Sequence, residues 1–219
     1  MGPQLAVLFG SAFVVALSGA MMPGPVLFAT VRWGVRHGRW VGPAIVAGHA
    51  AVEVPLMLAI IFGLGEVLAR PSFVGVVGLL GGAALLGMGV LMLAATPTIE
   101  LPGPPDPAAG PPAPAAWHIV AAGALTSLAN PYFPLWWGTV GMNFLVHARP
   151  LGASGYVVFY VGHLLADLAW YGAVSESVHH GRRLLSDRSY RWLVGACGVL
   201  LIGFALFFAQ RGWRFLAAS

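Results

Sequence analysis

The sequence predicts an all-α polytopic membrane protein with six transmembrane helices arranged as two inverted three-helix repeats. Three observations lead to this prediction. The 219-residue chain is 58% hydrophobic and only 8% charged, whereas a soluble domain carries roughly 25% charged residues. Its apolar residues fall into six stretches that are each long enough to cross a bilayer. A Pro-rich stretch in the middle separates two halves with matching motifs.

The six spans are predicted from length and hydropathy, because a transmembrane helix needs about 20 mainly apolar residues. They cover residues 5–31, 41–64, 72–95, 117–146, 155–175 and 191–210. Residues 1–95 form the first three-helix repeat, and residues 117–219 form the second. Residues 96–116 contain eight prolines and are predicted to be an extended cytoplasmic linker. Three spans per half is an odd number, so the halves insert with opposite orientations.

The arginines predict the orientation, because cytoplasmic loops are enriched in basic residues. The loops at residues 32–40 and 176–190 lie on one side if all six segments span. That side holds seven arginines and the other side four; the seven are Arg32, Arg36, Arg39, Arg182, Arg183, Arg188 and Arg191, and the four are Arg70, Arg149, Arg211 and Arg214. We therefore expect both termini to face outside. The arginines sit in short loops, which indicates topology signals and not a nucleic-acid surface.

Each half begins with a helix that is interrupted by proline. Pro23-Gly24-Pro25 lies in the first span and Asn130-Pro131-Tyr132 in the fourth. Proline removes a backbone donor, and a broken helix at membrane depth presents free N–H groups at the start of its second half. We expect these motifs to bind substrate, with Asn130 capping the helix that follows it. The alternative for the first motif is a kink that only shapes packing.

The second helix of each half carries a histidine and a carboxylate four residues apart. These pairs are His49 with Glu53 and His163 with Asp167, and residues at this spacing share one helix face. Each carboxylate lies twelve residues into its predicted span, roughly 18 Å at 1.5 Å per residue. Ionisable groups near the middle of a bilayer usually line a pathway. We expect the pairs to couple protons; the alternative is two self-satisfied polar pairs buried for packing.

Two further patterns are assigned to packing. The third span carries glycines at three- and four-residue spacing, from Gly75 to Gly89, which lets helices approach closely. Packing within the monomer is favoured over a contact in a homodimer, which stays possible. Trp136 and Trp137 are interpreted as outer-belt or packing aromatics, although Trp stacking on a substrate is possible.

The order of these motifs resembles the lysine exporter (LysE/RhtB-type) family of amino-acid translocators, over nearly the whole chain. The shared features are the Pro-Gly-Pro break, a basic loop from Gly34 to Gly38, a glycine-rich third helix, a variable linker and Asn-Pro in the fourth helix. Many members read Asn-Pro-Lys, whereas Tyr132 stands here, so no role of that lysine is transferred. The resemblance implies efflux of amino acids or close derivatives across a prokaryotic inner membrane, driven by a proton or ion gradient.

Three functions remain open at this point. The first is a secondary exporter of amino acids, in which the helix starting at Pro25 holds the substrate carboxylate. Glu53 and Asp167 would bind its amino group or relay protons. The second is a divalent-metal exporter, which needs both pairs to converge as ligands; pairs more than about 8 Å apart would favour amino acids, given the length of metal–ligand bonds. The third, an intramembrane enzyme, has only the pairs for support.

Other classes are not predicted. No His-Glu-x-x-His, Gly-x-Ser-x-Gly or P-loop pattern occurs, so we expect no enzyme and no catalytic residues. One cysteine, Cys197, excludes an intramolecular disulfide. We also expect no cofactor, no resident metal and no nucleic-acid partner. The expected partners are an amino acid, membrane lipid and protons.

Overall fold

The structure, a computed structural model, describes residues 2–22, 24–68, 70–100, 116–130, 132–181 and 186–217. Throughout these ranges the regular structure is helical, without strands. Five helical stretches are long and apolar enough to cross a membrane, and a shorter apolar helix, Ala116–Leu128, accompanies them. The predicted all-α membrane architecture is therefore confirmed.

The described residues of the first half form five α-helices. They are α1 (Gly2–Ala20), α2 (Pro25–His37), α3 (Val41–Ala59), α4 (Gly65–Leu68) and α5 (Pro71–Ala95). A π-helical turn, Ile60–Leu64, joins α3 to α4, and Gly63 kinks the chain there with a φ of 120°. The predicted second span therefore continues past residue 64 to Leu68, across a kink that the hydropathy pattern does not reveal.

In the second half, the part of the chain that the structure describes also forms five α-helices. They are α6 (Ala116–Leu128), α7 (Tyr132–Trp136), α8 (Met142–Ala148), α9 (Gly152–Gly181) and α10 (Asp187–Ala217). A π-helical turn, Trp137–Gly141, joins α7 to α8. Gly152, with a φ of 63°, follows a 3₁₀ turn after α8. The rings of Phe144 on α8 and Phe159 on α9 stack at 5.2 Å, which fits two helices that run back along each other.

Both predicted helix breaks are present. α1 ends at Ala20 and α2 begins at Pro25, which suits proline because the first helical residue needs no intrahelical N–H bond. α6 ends at Leu128, and the Asn130 side-chain oxygen accepts a hydrogen bond from the Tyr132 N–H at 3.1 Å. The predicted capping role of Asn130 is confirmed.

Some predicted features lie outside the described residues. Pro23 of the first break and Pro131 of the second are among them, as are Arg182 and Arg183 of the basic loop. The same holds for residues 101–115, which make up most of the predicted linker.

The glycine-rich helix α5 packs inside the chain, against α10. A Cβ atom added at Gly78 would lie 2.9 Å from the Cα of Gly212, and one added at Gly89 would lie 2.7 Å from the carbonyl oxygen of Gly198. Neither position has room for a side chain. This close antiparallel seam confirms that the small residues serve packing within the monomer.

The helices next to the breaks pack reciprocally between the halves. α1 of the first half packs along α9 of the second, and α6 of the second packs along α3 of the first. α3 and α9 also contact each other at the centre. Reciprocal packing is what an inverted repeat would produce; the internal symmetry itself stays a prediction.

Candidate functional site

The four ionisable residues predicted to couple protons converge between α3 and α9. One nitrogen or oxygen atom from each of His49, Glu53, His163 and Asp167 lies within 4.8 Å of those of the other three. Three of the four residues are buried, and His49 is partly buried. The pattern of the sequence left open whether the two pairs meet, and the structure brings them together.

The shortest contact in this four-residue cluster joins the two halves. Nε2 of His163 lies 2.8 Å from Oε1 of Glu53, and Nε2 of His49 lies 3.1 Å from the same oxygen. Oδ2 of Asp167 lies 3.4 Å from Nε2 of His163 and 3.8 Å from Nε2 of His49. The predicted contacts within each helix exist, but they are part of one network across the interface.

Glu53 is the most firmly held member of the cluster. It is 1% exposed, and its Oε1 also accepts a hydrogen bond from Nε1 of Trp137 at 3.1 Å. Three nitrogen atoms, from Trp137, His163 and His49, therefore surround one carboxylate oxygen. Trp137 donates to this oxygen, and a buried carboxylate needs donors or cations beside it because burial of an unpaired charge is costly.

His49 is oriented by a hydrogen-bond chain to α6. Its Nδ1 lies 2.6 Å from Oγ of Ser127, and that hydroxyl donates to the carbonyl oxygen of Gly123 at 2.7 Å. Because the hydroxyl proton already bonds Gly123, Oγ accepts a hydrogen bond from the N–H at Nδ1. Nε2 of His49 therefore faces Glu53 with a lone pair, unless a second proton or another cation occupies it.

Three polar atoms of the cluster have no hydrogen-bond partner among the described residues. They are Oε2 of Glu53, Oδ2 of Asp167 and Nδ1 of His163. Buried polar atoms are normally satisfied by protein or ordered water. Asp167 is consequently the carboxylate that the protein holds least, and the one most able to gain or lose a partner.

A cavity of about 60 Å³ connects the cluster with the helix breaks. All four cluster residues line it, together with Asn130 and Tyr132 from the second break. Its remaining walls are apolar or aromatic; they include Ala16, Gly19, Ala20, Val26, Phe133, Trp136, Trp137 and Tyr171. A volume of this size holds a few water molecules.

A second, smaller cavity of about 40 Å³ continues toward the first break and is lined by Gly24. The two cavities share wall residues, among them Val26, Asn130 and Tyr132. A Cβ atom at Gly24 would lie 3.7 Å from Nδ2 of Asn130, so the two breaks face each other. Pro25 is buried at the start of α2 and lines neither cavity.

The start of α2 leaves backbone donors available. The N–H of Phe28 bonds to the carbonyl oxygen of Gly24 at 3.0 Å, but the N–H groups of Val26 and Leu27 precede the first intrahelical bond. No side chain of the described residues caps this helix. Val26 lines both cavities.

Two contributors to the site, Trp137 and Ser127, were not identified from the sequence. Trp136 and Trp137 are only 7% and 1% exposed, so the outer-belt interpretation is wrong and the packing interpretation is right. Trp137 in addition donates to Glu53, and Ser127 holds His49. The partners in both contacts are about eighty residues apart in the sequence. The sole signal in the sequence was the presence of a tryptophan and a serine in apolar helices, because the polar atoms of such residues need partners when they are buried.

The donor set suits a cation. Two imidazoles and two carboxylates can hold protons, the ammonium group of a small molecule or a divalent metal ion. The cluster therefore favours a positively charged group. Beside it, the uncapped backbone N–H groups at the start of α2 favour a negatively charged group.

Comparison with known proteins agrees with a transport function. The chain is 27% identical over 206 residues to the "Putative amino acid efflux protein YcgF" of Bacillus subtilis, which covers 94% of this chain and 96% of that protein. It is also 36% identical over 86 residues to the "Chemotactic transduction protein ChpE" of Pseudomonas aeruginosa, covering 38% of this chain and 42% of that protein. No solved structure matches the chain. The family described as LysE type translocator matches residues 17–212, and the chain belongs to this family of membrane transporters.

Proposed function

We propose that this protein is a secondary active exporter of amino acids or close derivatives, coupled to protons. Membership of the translocator family and the efflux name of the relative from Bacillus subtilis support the class of substrate. The observation that carries the mechanism is a pair of neighbouring cavities with shared wall residues, one lined by the carboxylate cluster and the other by Gly24 at the uncapped start of α2.

The helix start at α2 binds the substrate carboxylate. Its first N–H groups lie at the positive end of the helix dipole, which favours an anion. Gly24 lets a ligand approach the backbone, and the amide of Asn130 lies opposite it. The hydroxyl of Tyr132 lies near Gly19 in the wall shared by the two cavities. An α-carboxylate placed there would meet donors from both halves of the protein.

The four-residue cluster binds the other end of the substrate. An amino acid carries an ammonium group beside its carboxylate, and among the described residues the carboxylates that line the first cavity are Glu53 and Asp167. The aromatic walls at Phe133 and Trp136 are positioned to contact the remaining part of the substrate. Binding of both charged groups at once selects α-amino acids over simple cations or anions.

Proton coupling follows from competition for Asp167. Glu53 is fixed by Trp137 and His163, whereas Oδ2 of Asp167 lies near two imidazoles without a hydrogen bond. Either a proton or the ammonium group of the substrate can satisfy Asp167. Because the two compete, loading a proton releases the substrate and loading the substrate releases a proton, which is antiport.

The described conformation is closed around the site. Cavities of about 60 and 40 Å³ hold waters but not an amino acid. The halves must therefore separate to admit substrate, and α3 and α9 form the central contact that opens. Rocking of repeats around a central site is the usual mode of alternating access.

The distribution of arginines supports a membrane location and an orientation. We place the protein in a prokaryotic inner membrane with both termini outside, because seven arginines then face the cytoplasm against four outside. A homodimer is compatible with this arrangement, although the glycine seam of α5 is already used within the chain.

Export of divalent metal ions is the second candidate. It required the four side chains to converge, and their donor atoms do lie within 4.8 Å of one another. The distance criterion therefore does not favour amino acids; the preference for them rests on the family and on the uncapped start of α2, which a metal exporter would not need.

The test is efflux of a labelled amino-acid panel from proteoliposomes, with and without a pH gradient, beside parallel vesicles loaded with Zn²⁺ or Mn²⁺. We expect at least one amino acid to leave faster with the gradient and the metal ions to be retained. Gradient-driven metal efflux with no amino-acid efflux would transfer the protein to the second candidate.

A further inference from the structure

The cluster at the centre of the protein has the composition of a transition-metal site. His49 and His163 supply two imidazole nitrogens, and Glu53 and Asp167 supply two carboxylate oxygens. Nitrogen donors disfavour Mg²⁺ and Ca²⁺, which prefer oxygen, and suit Zn²⁺. We propose that this cluster binds a Zn²⁺-type ion with high affinity and that the bound ion inhibits transport.

The spacing of the donor atoms fits a tetrahedral centre. The four measured nitrogen–oxygen separations are 2.8, 3.1, 3.4 and 3.8 Å. Bonds of about 2.0–2.1 Å to a tetrahedral Zn²⁺ place neighbouring donors roughly 3.3 Å apart. These four values lie on both sides of this distance, and all four donor atoms lie within 4.8 Å of one another, so closing the widest pair by at most about 1.5 Å would admit the ion.

The groups behind the donors also fit a metal. A metal-binding histidine normally donates its second ring N–H to a neighbouring acceptor. His49 does so through Nδ1 to Ser127, which leaves the lone pair of Nε2 directed at the cluster. Trp137 in turn fixes Oε1 of Glu53. His163 departs from this pattern, because its Nδ1 has no partner among the described residues.

Charge balance and an unpartnered atom point to a divalent cation. Two ionised carboxylates and two neutral imidazoles carry a charge of −2, which one divalent ion neutralises. Oδ2 of Asp167, one of the four donor atoms, is buried and unpartnered within the described part of the chain. A cation beside it would supply the missing interaction. Protons can neutralise the same charge, so metal and protons compete for the site.

Inhibition follows from where the ligands lie. His49 and Glu53 belong to α3 in the first half, and His163 and Asp167 belong to α9 in the second. A four-coordinate ion would join the two halves at the contact that must open for substrate. This inhibitory effect rests on the proposed function; the binding itself does not.

The binding test uses the purified full chain in detergent, stripped with a chelator and titrated with Co²⁺ as a coloured probe for Zn²⁺. We expect one Co²⁺ per chain, with the visible absorption of a tetrahedral centre, and displacement by Zn²⁺. His163→Gln and Asp167→Asn should each weaken binding at least about tenfold, and Ser127→Ala, which keeps all four ligands, about tenfold. His180→Gln is the control, because His180 forms an exposed pair with Glu176 at 3.4 Å and should leave binding unchanged.

The remaining outcomes separate the two proposals. If Co²⁺ shows no tetrahedral absorption, or binds His163→Gln and Ser127→Ala as tightly as wild type, the metal site is overturned. In proteoliposomes, Zn²⁺ should block amino-acid exchange by wild type over the same range of free Zn²⁺ in which it fills the site of the purified protein. Exchange that continues with the site filled would overturn inhibition. Co²⁺ binding by a protein that exports no amino acid would leave the site standing and remove the proposed function.

Discussion

Nε2 of His163 on α9 lies 2.8 Å from Oε1 of Glu53 on α3, closer than either atom lies to the ionisable partner in its own helix. The corresponding distances within the helices are 3.4 Å to Asp167 and 3.1 Å to His49. The polar centre of this transporter is therefore a contact between its two halves. Any motion that separates α3 from α9 must break it.

The first prediction concerns stability. Glu53→Ala leaves His163 and Trp137 without their acceptor in a buried place, and loss of one partner of a buried ionic pair costs about 3 to 5 kcal/mol. We expect a clear fall of the unfolding midpoint in detergent. Glu176→Ala is the matched control, because Glu176 also contacts a histidine four residues away, but at an exposed position; it should change stability by less than about 0.5 kcal/mol. Equal midpoints for the two variants would contradict a structural role of Glu53.

The second prediction compares two adjacent tryptophans. Trp137→Phe removes the N–H that bonds Glu53, and loss of one such hydrogen bond costs about 1 kcal/mol or more. Trp136→Phe is the control, because Trp136 is also buried but the donor to Glu53 is Trp137. We expect Trp137→Phe to lower both the unfolding midpoint and gradient-driven efflux more than Trp136→Phe does. The reverse order would indicate that Trp136 is the functional residue.

The third prediction concerns the first helix break. Gly24 has extended backbone angles, φ −161° and ψ −176°, and a Cβ atom there would make ordinary contacts. Gly24→Ala should therefore retain transport, whereas Gly24→Leu should fill the space toward Asn130 and abolish it. Both proteins should accumulate in the membrane at wild-type levels. Near-normal efflux by Gly24→Leu would mean that the motif is a kink that only shapes packing.

The fourth prediction tests topology with single cysteines in a Cys197→Ser background. Gly38 is a poor site, because its φ is 84° and an added Cβ would lie 3.2 Å from His179. Trp40, 71% exposed, serves instead. We expect Trp40→Cys to be shielded from an impermeant thiol reagent on whole cells and Ala153→Cys to be labelled. The opposite pattern would reverse the orientation, and labelling of both would contradict six spans.

The sequence predicts the parts of this fold that depend on local patterns. Proline predicted the break before α2, the spacing of His49 and Glu53 predicted a shared helix face, and Asn130 predicted a cap. These features need only the residues within one or two turns.

The rest depends on contacts between distant segments. His163 and Glu53 are 110 residues apart in sequence, and an apolar helix that is hydrophobic all round does not show which face meets which neighbour. For the same reason, the roles of Trp137 and Ser127 could not be predicted, because their partners belong to other helices. The kink at Gly63 could not be predicted for a different reason. Glycine tolerates both helical and positive-φ angles, so its presence does not decide between them.

We propose that Asp167 binds either a proton or the ammonium group of the substrate, in alternation, while Glu53 stays fixed. Asp167→Asn keeps the shape of the side chain and removes its titration. Glu53 remains to attract the ammonium group, so we expect substrate binding and exchange to survive. Net efflux driven by a pH gradient should be lost. Glu176→Gln, which removes an exposed carboxylate from the same helix, is the control for a general effect of charge.

The decisive measurement compares exchange and gradient-driven efflux of the same labelled amino acid in proteoliposomes containing Asp167→Asn. Retained exchange without gradient-driven efflux, with both intact in Glu176→Gln, is the predicted result. Gradient-driven efflux by Asp167→Asn at the wild-type rate would contradict the claim and remove this carboxylate from the coupling mechanism.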